Sequence, residues 1–286
     1  MAVKVITDST SYINSNIQKE LDIKVLSLYV NFNDDSIKEI EISNEDFYKK
    51  MEAEGIPISS QPAVGEILVA MEEVLKAGDD LVCVFLSSKM SGTFQSAFLT
   101  KQYLLENYPE ANIEIIDSKT NSMQLGFTAI TAARLAKANK SFDEIVKEVN
   151  KVVESSRFIF IPENLDYLHK GGRIGGAGTL FGNMLKITPI LTVKDGEANI
   201  FQTVRTKKRA KATLIKKLME DHKKYKVLEV AVHHINAYDE AVQLQKDLEQ
   251  ELDVKSYISS IGPVIGVHVG PGAIGLAYHT EKKIED

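Results

Sequence analysis

Hydroxyl groups cluster at three places in this chain, and each cluster runs into a segment that reads as a helix. The three are Ser59-Ser60-Gln61-Pro62, Ser87-Ser88-Lys89-Met90-Ser91-Gly92-Thr93 and Asp117-Ser118-Lys119-Thr120-Asn121. A helix start offers free backbone N–H groups and a partial positive charge, so such turns at strand ends suit a carboxylate or a phosphate. Pro62 has no N–H to lose and is predicted at a first helical position. Gly92 would let a ligand approach the backbone closely. Taken singly, each turn is also what ordinary N-capping by Ser and Thr produces. A further segment, 260–272, surrounds the lone His268 with four glycines and two prolines. That histidine reads either as a partner for an acid group or as a core side chain satisfied by backbone.

Other chemistry is mostly excluded. Lys170-Gly171-Gly172-Arg173-Ile174-Gly175-Gly176-Ala177-Gly178 lacks the Gly-Lys-Ser/Thr ending of a phosphate loop. It follows a helix-like segment, 163–169, so it reads as a flexible connection, with Arg173 free to contact a charged partner. Cys83 lies inside an apolar run, where a thiol is inert. Lys89 stands where a Gly-x-Ser-x-Gly elbow needs a glycine. A triad of Ser91, His268 and Asp8 or Asp117 stays open, because triads assemble from distant segments. His233 and His234 are adjacent, so on a strand they point to opposite faces. No His-Glu-x-x-His and no cysteine pair occurs, and no metal is expected.

These groups need a scaffold that gathers them. Short apolar runs at 3–7, 25–32, 81–86 and 113–116 alternate with helical patterns at 64–76, 93–107, 122–138 and 142–155. Strands alternating with helices predict a mostly parallel sheet with right-handed crossovers. Further on, 158–161, 188–193 and 227–232 read as strands and 207–224 and 237–252 as helices. That is a smaller, two-layer α/β unit with room for antiparallel pairing. The fold class expected is therefore α/β in two domains, 1–155 and 156–286, with the chain end packing back on the first. In 286 residues, 44% are hydrophobic and 26% charged, as in an ordinary globular chain. There is no basic head with an apolar core at the start and no long apolar run, so a cytoplasmic protein without a transmembrane segment is expected. A net charge of −6 argues against nucleic acid.

Between Arg205 and Lys226 there are ten Lys or Arg and two acidic residues. This reads as a solvated amphipathic helix with Ala212, Ile215 and Leu218 toward the core, or as a docking face for an acidic partner or for nucleic acid, the last opposed by the net charge and the absence of interleaved aromatics.

Five motifs, in order, resemble the DegV family over the whole chain: Thr-Asp-Ser-Thr at the start, Ser-Ser-Gln-Pro, Ser-Gly-Thr-Phe-Gln-Ser-Ala, Lys-Gly-Gly-Arg-Ile and Val-His-Val-Gly-Pro-Gly-Ala. The resemblance implies two α/β domains with a long-chain fatty acid, such as palmitate, held between them and no other cofactor. It implies a separate fatty acid kinase as partner, which converts the presented acid to an acyl phosphate for phospholipid synthesis, and it leaves room for transient membrane contact. By the same resemblance Ser59 (where the family has Thr), Ser60, Ser91, Gly92, Thr93 and His268 hold the carboxylate. Arg173 and Arg205 correspond to a kinase-facing surface. An apolar lining from Ile159, Phe160, Phe181, Met184, Leu185, Ile187 and Ile190 is expected. The rival reading is a serine hydrolase or acyltransferase using Ser91 and His268.

Overall fold

Residues 2–33, 35–182 and 187–285 are described by the computed structural model. The chain begins β1 (Val3–Asp8), α1 (Ser15–Leu21), β2 (Ile23–Leu26), β3 (Tyr29–Phe32), β4 (Asp35–Lys38), α2 (Asn44–Glu54), β5 (Ile58–Ser60) and α3 (Val64–Lys76). It continues β6 (Asp80–Phe85), α4 (Thr93–Asn107), β7 (Ile113–Asp117), α5 (Ser122–Lys137) and α6 (Phe142–Glu154). The rest is β8 (Ser156–Ile161), α7 (Asp166–Lys170), β9 (Thr188–Lys194), β10 (Glu197–Val204), α8 (Lys207–Tyr225), β11 (Val227–His234), α9 (Tyr238–Glu251), β12 (Ser256–Ser260), α10 (Pro263–Val269) and β13 (Ile274–Thr280).

The α/β architecture expected from the alternating pattern is present. One sheet is parallel throughout, in the order β2-β1-β6-β7. Its central strand β6 is buried along almost its whole length, which is why 81–86 is apolar without alternation. Helices α3 and α4 cover one face through Ile67, Met71, Ala97 and Leu104. A six-stranded sheet, β10-β9-β8-β13-β11-β12, has β11–β12 as its parallel pair and antiparallel pairing elsewhere. Its outer face packs on α8 and α9 through Leu214, Leu218, Leu244 and Leu248.

Between the two sheets lies α5. Its first nine residues are all buried, the polar Gln124 and Thr128 among them. The core around it joins Val82 and Val84 of the parallel sheet to Phe158 and Phe160 of the other.

Several expectations need correction. The run 25–32 is not one strand: β2 ends at Leu26 in the parallel sheet, and β3 starts a separate antiparallel sheet, β4-β3-β5. Ser27 and Leu28 are both buried at the change of direction, so apolarity hides the break. Pro62 is not the first helical residue; Ala63 caps α3, and Ser59 and Ser60 belong to strand β5. Strands β4, β10, β12 and β13 carry no expectation from sequence. In α8, Leu214 and Leu218 face the core with Ala210, while Ala212 is exposed.

Candidate functional site

Strand β5 is paired to β3, with Ser59 opposite Val30 and Ser60 opposite Tyr29. This brings Ser59 up to α10, where its Oγ lies 2.8 Å from His268 Nε2. Either ring tautomer makes that bond, with the hydroxyl accepting from Nε2–H or donating to Nε2. The ring is held from behind by Gly171, where a Cβ would overlap His268 Nδ1. Gly171 is thus a close-packed seat for the histidine, while Gly175 and Gly176 pack on Ala198 and Asn199. Burial, with the Arg173 charge adding, pushes the imidazole down to about 4, so it is neutral near pH 7.

Ser91 precedes α4, which starts at Thr93 behind the N-cap Gly92. Its Oγ is 2.9 Å from Thr93 Oγ1 and also accepts from the Thr93 N–H at 3.3 Å. A Cβ on Gly92 would overlap Gln61 Oε1, so that side chain, itself donating to Ser96 Oγ at 2.9 Å, lies across the glycine.

These segments meet at one cavity of about 950 Å³, its open mouth included. The polar end is lined by Ser59, Ser60, Gln61, Ser91, Gly92 and His268, with Arg173 on the rim. Arg173 is exposed there, and its guanidinium donates to the carbonyls of Met90 at 3.1 Å and Gly171 at 2.8 Å. The remaining wall is largely apolar, with Leu28, Leu86, Phe158, Phe160, Ile261 and Val264 in it. The lining has the form of a small-molecule site with one oriented polar end.

Of the residues singled out by sequence, Ser59, Ser60, Ser91, Gly92, Arg173 and His268 all reach this cavity. Thr93 stands just behind it, fully buried against Ser91. Arg205 lies elsewhere, exposed in the bend between β10 and α8. The expected apolar lining holds only for Phe160. Ile159 and Ile190 face the α8–α9 layer, since successive strand residues alternate. Ile187 is outside the lining, and Phe181 stacks on His169 at 3.8 Å between centroids. Met184 and Leu185 fall outside the described residues. Sequence reasoning missed Gln61, Asn121 and His233. Gln61 and Asn121 stood inside quoted motifs, whereas nothing near His233 marks it. His233 accepts from the Met123 N–H at 3.1 Å and meets the Ser259 carbonyl at 3.0 Å, and burial drives it down to about 4.

The triad of the rival reading is not formed by hydrogen bonds. His268 is bonded to Ser59 rather than Ser91, and its Nδ1 has no hydrogen-bond partner among the described residues. Asp8 is taken by Thr10 and the Leu86 N–H, and Asp117 by Ser88 and the Lys119 N–H. Among the described residues no group of three or more His, Cys, Asp or Glu could hold a metal ion, and no helix is long and apolar enough to cross a membrane.

Comparison with known proteins gives one consistent result. A family model described as an uncharacterised protein of the DegV family matches residues 2–281. A DegV domain-containing protein of Clostridium acetobutylicum is 52% identical over 284 residues, covering 99% of this chain and 100% of its own. Among solved structures, a DegV family protein from Thermus thermophilus, described for fatty acid binding, matches with a TM-score of 0.90 at 27% identity over 98% of this chain and 100% of its own. DegV of Bacillus subtilis, described as a fatty acid binding protein, matches with a TM-score of 0.89 at 32% identity over 98% and 99%. A stearic acid-binding protein from Eubacterium ventriosum matches with a TM-score of 0.88 at 28% identity over 98% of both chains.

Proposed function

The chain belongs to the DegV family, and from that premise we propose that it is a carrier that binds a long-chain fatty acid in the cavity between its two halves, divided at residues 155 and 156. The observation that carries this reading is the cavity itself, largely apolar in its walls and ringed at one end by hydroxyls and a neutral imidazole. Ser59, Ser60, Ser91, the backbone of Gly92 and Thr93, and His268 hold the carboxylate. The acyl chain runs along Phe158, Phe160 and Ile265. About fourteen methylenes at ~0.8 kcal/mol each offer up to ~11 kcal/mol of transfer free energy before ordering costs. The relatives described as fatty acid binding support the ligand class.

The role is carriage and not catalysis. Among the described residues no base is bonded to Ser91, and an imidazole held near 4 is a weak proton acceptor at neutral pH. The bound acid is presented, in the cytoplasm, to a separate fatty acid kinase that forms the acyl phosphate used in phospholipid synthesis. Arg173, exposed on the rim, and Arg205 form the docking face in this reading, and no cofactor is needed beyond the lipid itself.

Denaturing mass spectrometry of the purified protein tests the core claim. A stoichiometric long-chain fatty acid is expected, and protein that arrives empty and refuses added palmitate and oleate would overturn it. Covalent labelling of Ser91 by a fluorophosphonate would favour the hydrolase instead.

A further inference from the structure

The helix carrying His268 has no capping side chain of its own. Helix α10 is seven residues long and opens at Pro263 behind Gly262. A Cβ on Gly262 would lie 2.7 Å from Tyr12 Cε1 and 2.8 Å from Glu39 Oε1, so that position cannot carry a capping residue. Its free N–H groups are met by side chains from far earlier in the chain. The Val264 N–H donates to Glu39 Oε1 at 2.9 Å, and the Ile265 N–H donates to the Tyr12 hydroxyl at 3.3 Å. Tyr12 in turn donates to Glu39 Oε1 at 2.9 Å, and Ser9 donates to Oε2 at 2.5 Å.

Glu39 is buried and, among the described residues, has no cation paired with it. A carboxyl is costly in such a place unless donors converge on it, and here three do. Tyr12 sits at φ 47°, a left-handed conformation that a bulky residue takes only when its surroundings impose it. Ser9 lies within the Thr-Asp-Ser-Thr motif and Tyr12 two residues beyond it, and the cavity itself offers that motif no role.

We propose that Glu39 and Tyr12 are positioning residues for the head-group end of the cavity: they cap α10 from outside and so hold His268 against Ser59. A helix of seven residues does not sustain itself in isolation. Val264 and His268 are four residues apart, on one face and about 6 Å along the axis, so a first turn set loose displaces the imidazole. The ligand consequence rests on the fatty-acid reading of the cavity; the capping itself does not.

The Glu39 carboxyl is pushed up to about 7 by burial, with the Asp8 charge adding and the Ser9, Tyr12 and Val264 donors opposing. Besides Asp8, the titratable groups facing it are Tyr12 and, on α2, Tyr48, while Arg173 faces His268. A change of Glu39 charge therefore falls in a range where His268, held near 4, does not itself titrate.

The test is NMR of the histidine side chains in the ligand-free protein between pH 5.5 and 8.5, on wild type, Glu39→Gln, Glu39→Ala and Tyr12→Phe. The wild-type His268 resonance is expected to move with a midpoint near 7, and that step is expected to vanish in Glu39→Gln while His222 on α8 is unchanged. On delipidated protein, Glu39→Ala and Tyr12→Phe should bind oleate about tenfold more weakly, the effect of one charge-assisted hydrogen bond, with Glu39→Gln falling between them and wild type. His268 side-chain resonances left at their wild-type positions in both Glu39→Ala and Tyr12→Phe overturn the proposal, even if the variants melt lower. Folded Glu39→Ala and Tyr12→Phe with wild-type oleate affinity overturn it as well. If the wild type takes up no fatty acid, the fatty-acid reading fails, and the NMR comparison alone decides the capping.

Discussion

Ser59 and His268 act as one unit, because each is the other's hydrogen-bond partner at 2.8 Å across 209 positions of sequence. A hydrogen bond to a charged group contributes roughly 1.5–3 kcal/mol. Ser59→Ala and His268→Ala are each expected to weaken fatty-acid affinity by about ten- to a hundredfold. Their double variant should fall short of the sum by about 1 kcal/mol, the coupling of groups in direct contact. Ser91→Ala, whose hydroxyl is tied to Thr93 and not to the imidazole, should add fully to Ser59→Ala. Titration calorimetry on delipidated protein measures the three single and two double variants. Strict additivity of Ser59→Ala with His268→Ala would show that the two do not share the ligand. Gly171 belongs to the same unit, since any side chain there displaces the ring.

At the scale of the element, strand alternation sorts one run of four apolar residues into two different jobs. In β8, Phe158 and Phe160 line the cavity, while Ile159 and Ile161 pack under α8 and α9. Strand β13 repeats the division after its first residue, with Leu276 and Tyr278 in the outer core and Gly275 at the cavity, while Ile274 borders both. Gly275 must be small, because a Cβ would come within 2.7 Å of both the Ile159 carbonyl and Phe160 Cβ. Ile159→Ala is therefore expected to cost about 2–5 kcal/mol of stability, as large-to-small core changes do, and to leave the relative affinity for chains of different length alone. Phe160→Ala should shift that preference toward bulkier acyl chains. Denaturant unfolding paired with competition among fatty acids of graded length distinguishes the two, and a shifted preference in Ile159→Ala with none in Phe160→Ala would reverse the assignment.

For the whole molecule, the buried ionisable groups oppose one another. Asp8 and Glu39 are pushed up by burial to about 6 and about 7. In the window between their ordinary values and these, the folded chain holds more protons than the unfolded one. Their contribution is present at low pH and is lost as pH rises. His233 and His268 are pushed down by burial to about 4. Their contribution is present above 6.5 and is lost as pH falls toward 4. The two pairs overlap between about pH 4.5 and 6.5 with opposite signs. His234 and His279 are also pushed down by burial and act with His233 and His268, so the melting temperature is expected to rise as pH rises across that interval, whereas a fall in calorimetric scans would mean that the histidines are not buried as described. The helix α5 is buried between the two sheets and joins their cores.

Sequence by itself determined the alternating α/β order, the parallel sheet around 81–86 and the family, because hydrophobic period and short motifs are local properties. The helix 93–107 was legible to the residue, since Gly92 and Thr93 mark its start. So were Ser59, Ser60, Ser91, Gly92 and His268 as chemistry-bearing positions. What only the tertiary structure decided is which of these groups meet. The bond from Ser59 to His268, the seat that Gly171 makes for the ring, and the capping of α10 by Glu39 and Tyr12 all join segments distant in sequence. No local pattern encodes them. The break of 25–32 into two sheets, and the split of Phe160 from Ile159, were hidden for the same reason. A residue buried against a second sheet and one buried against a helix look alike in sequence, and only the layer on the other side tells cavity wall from core.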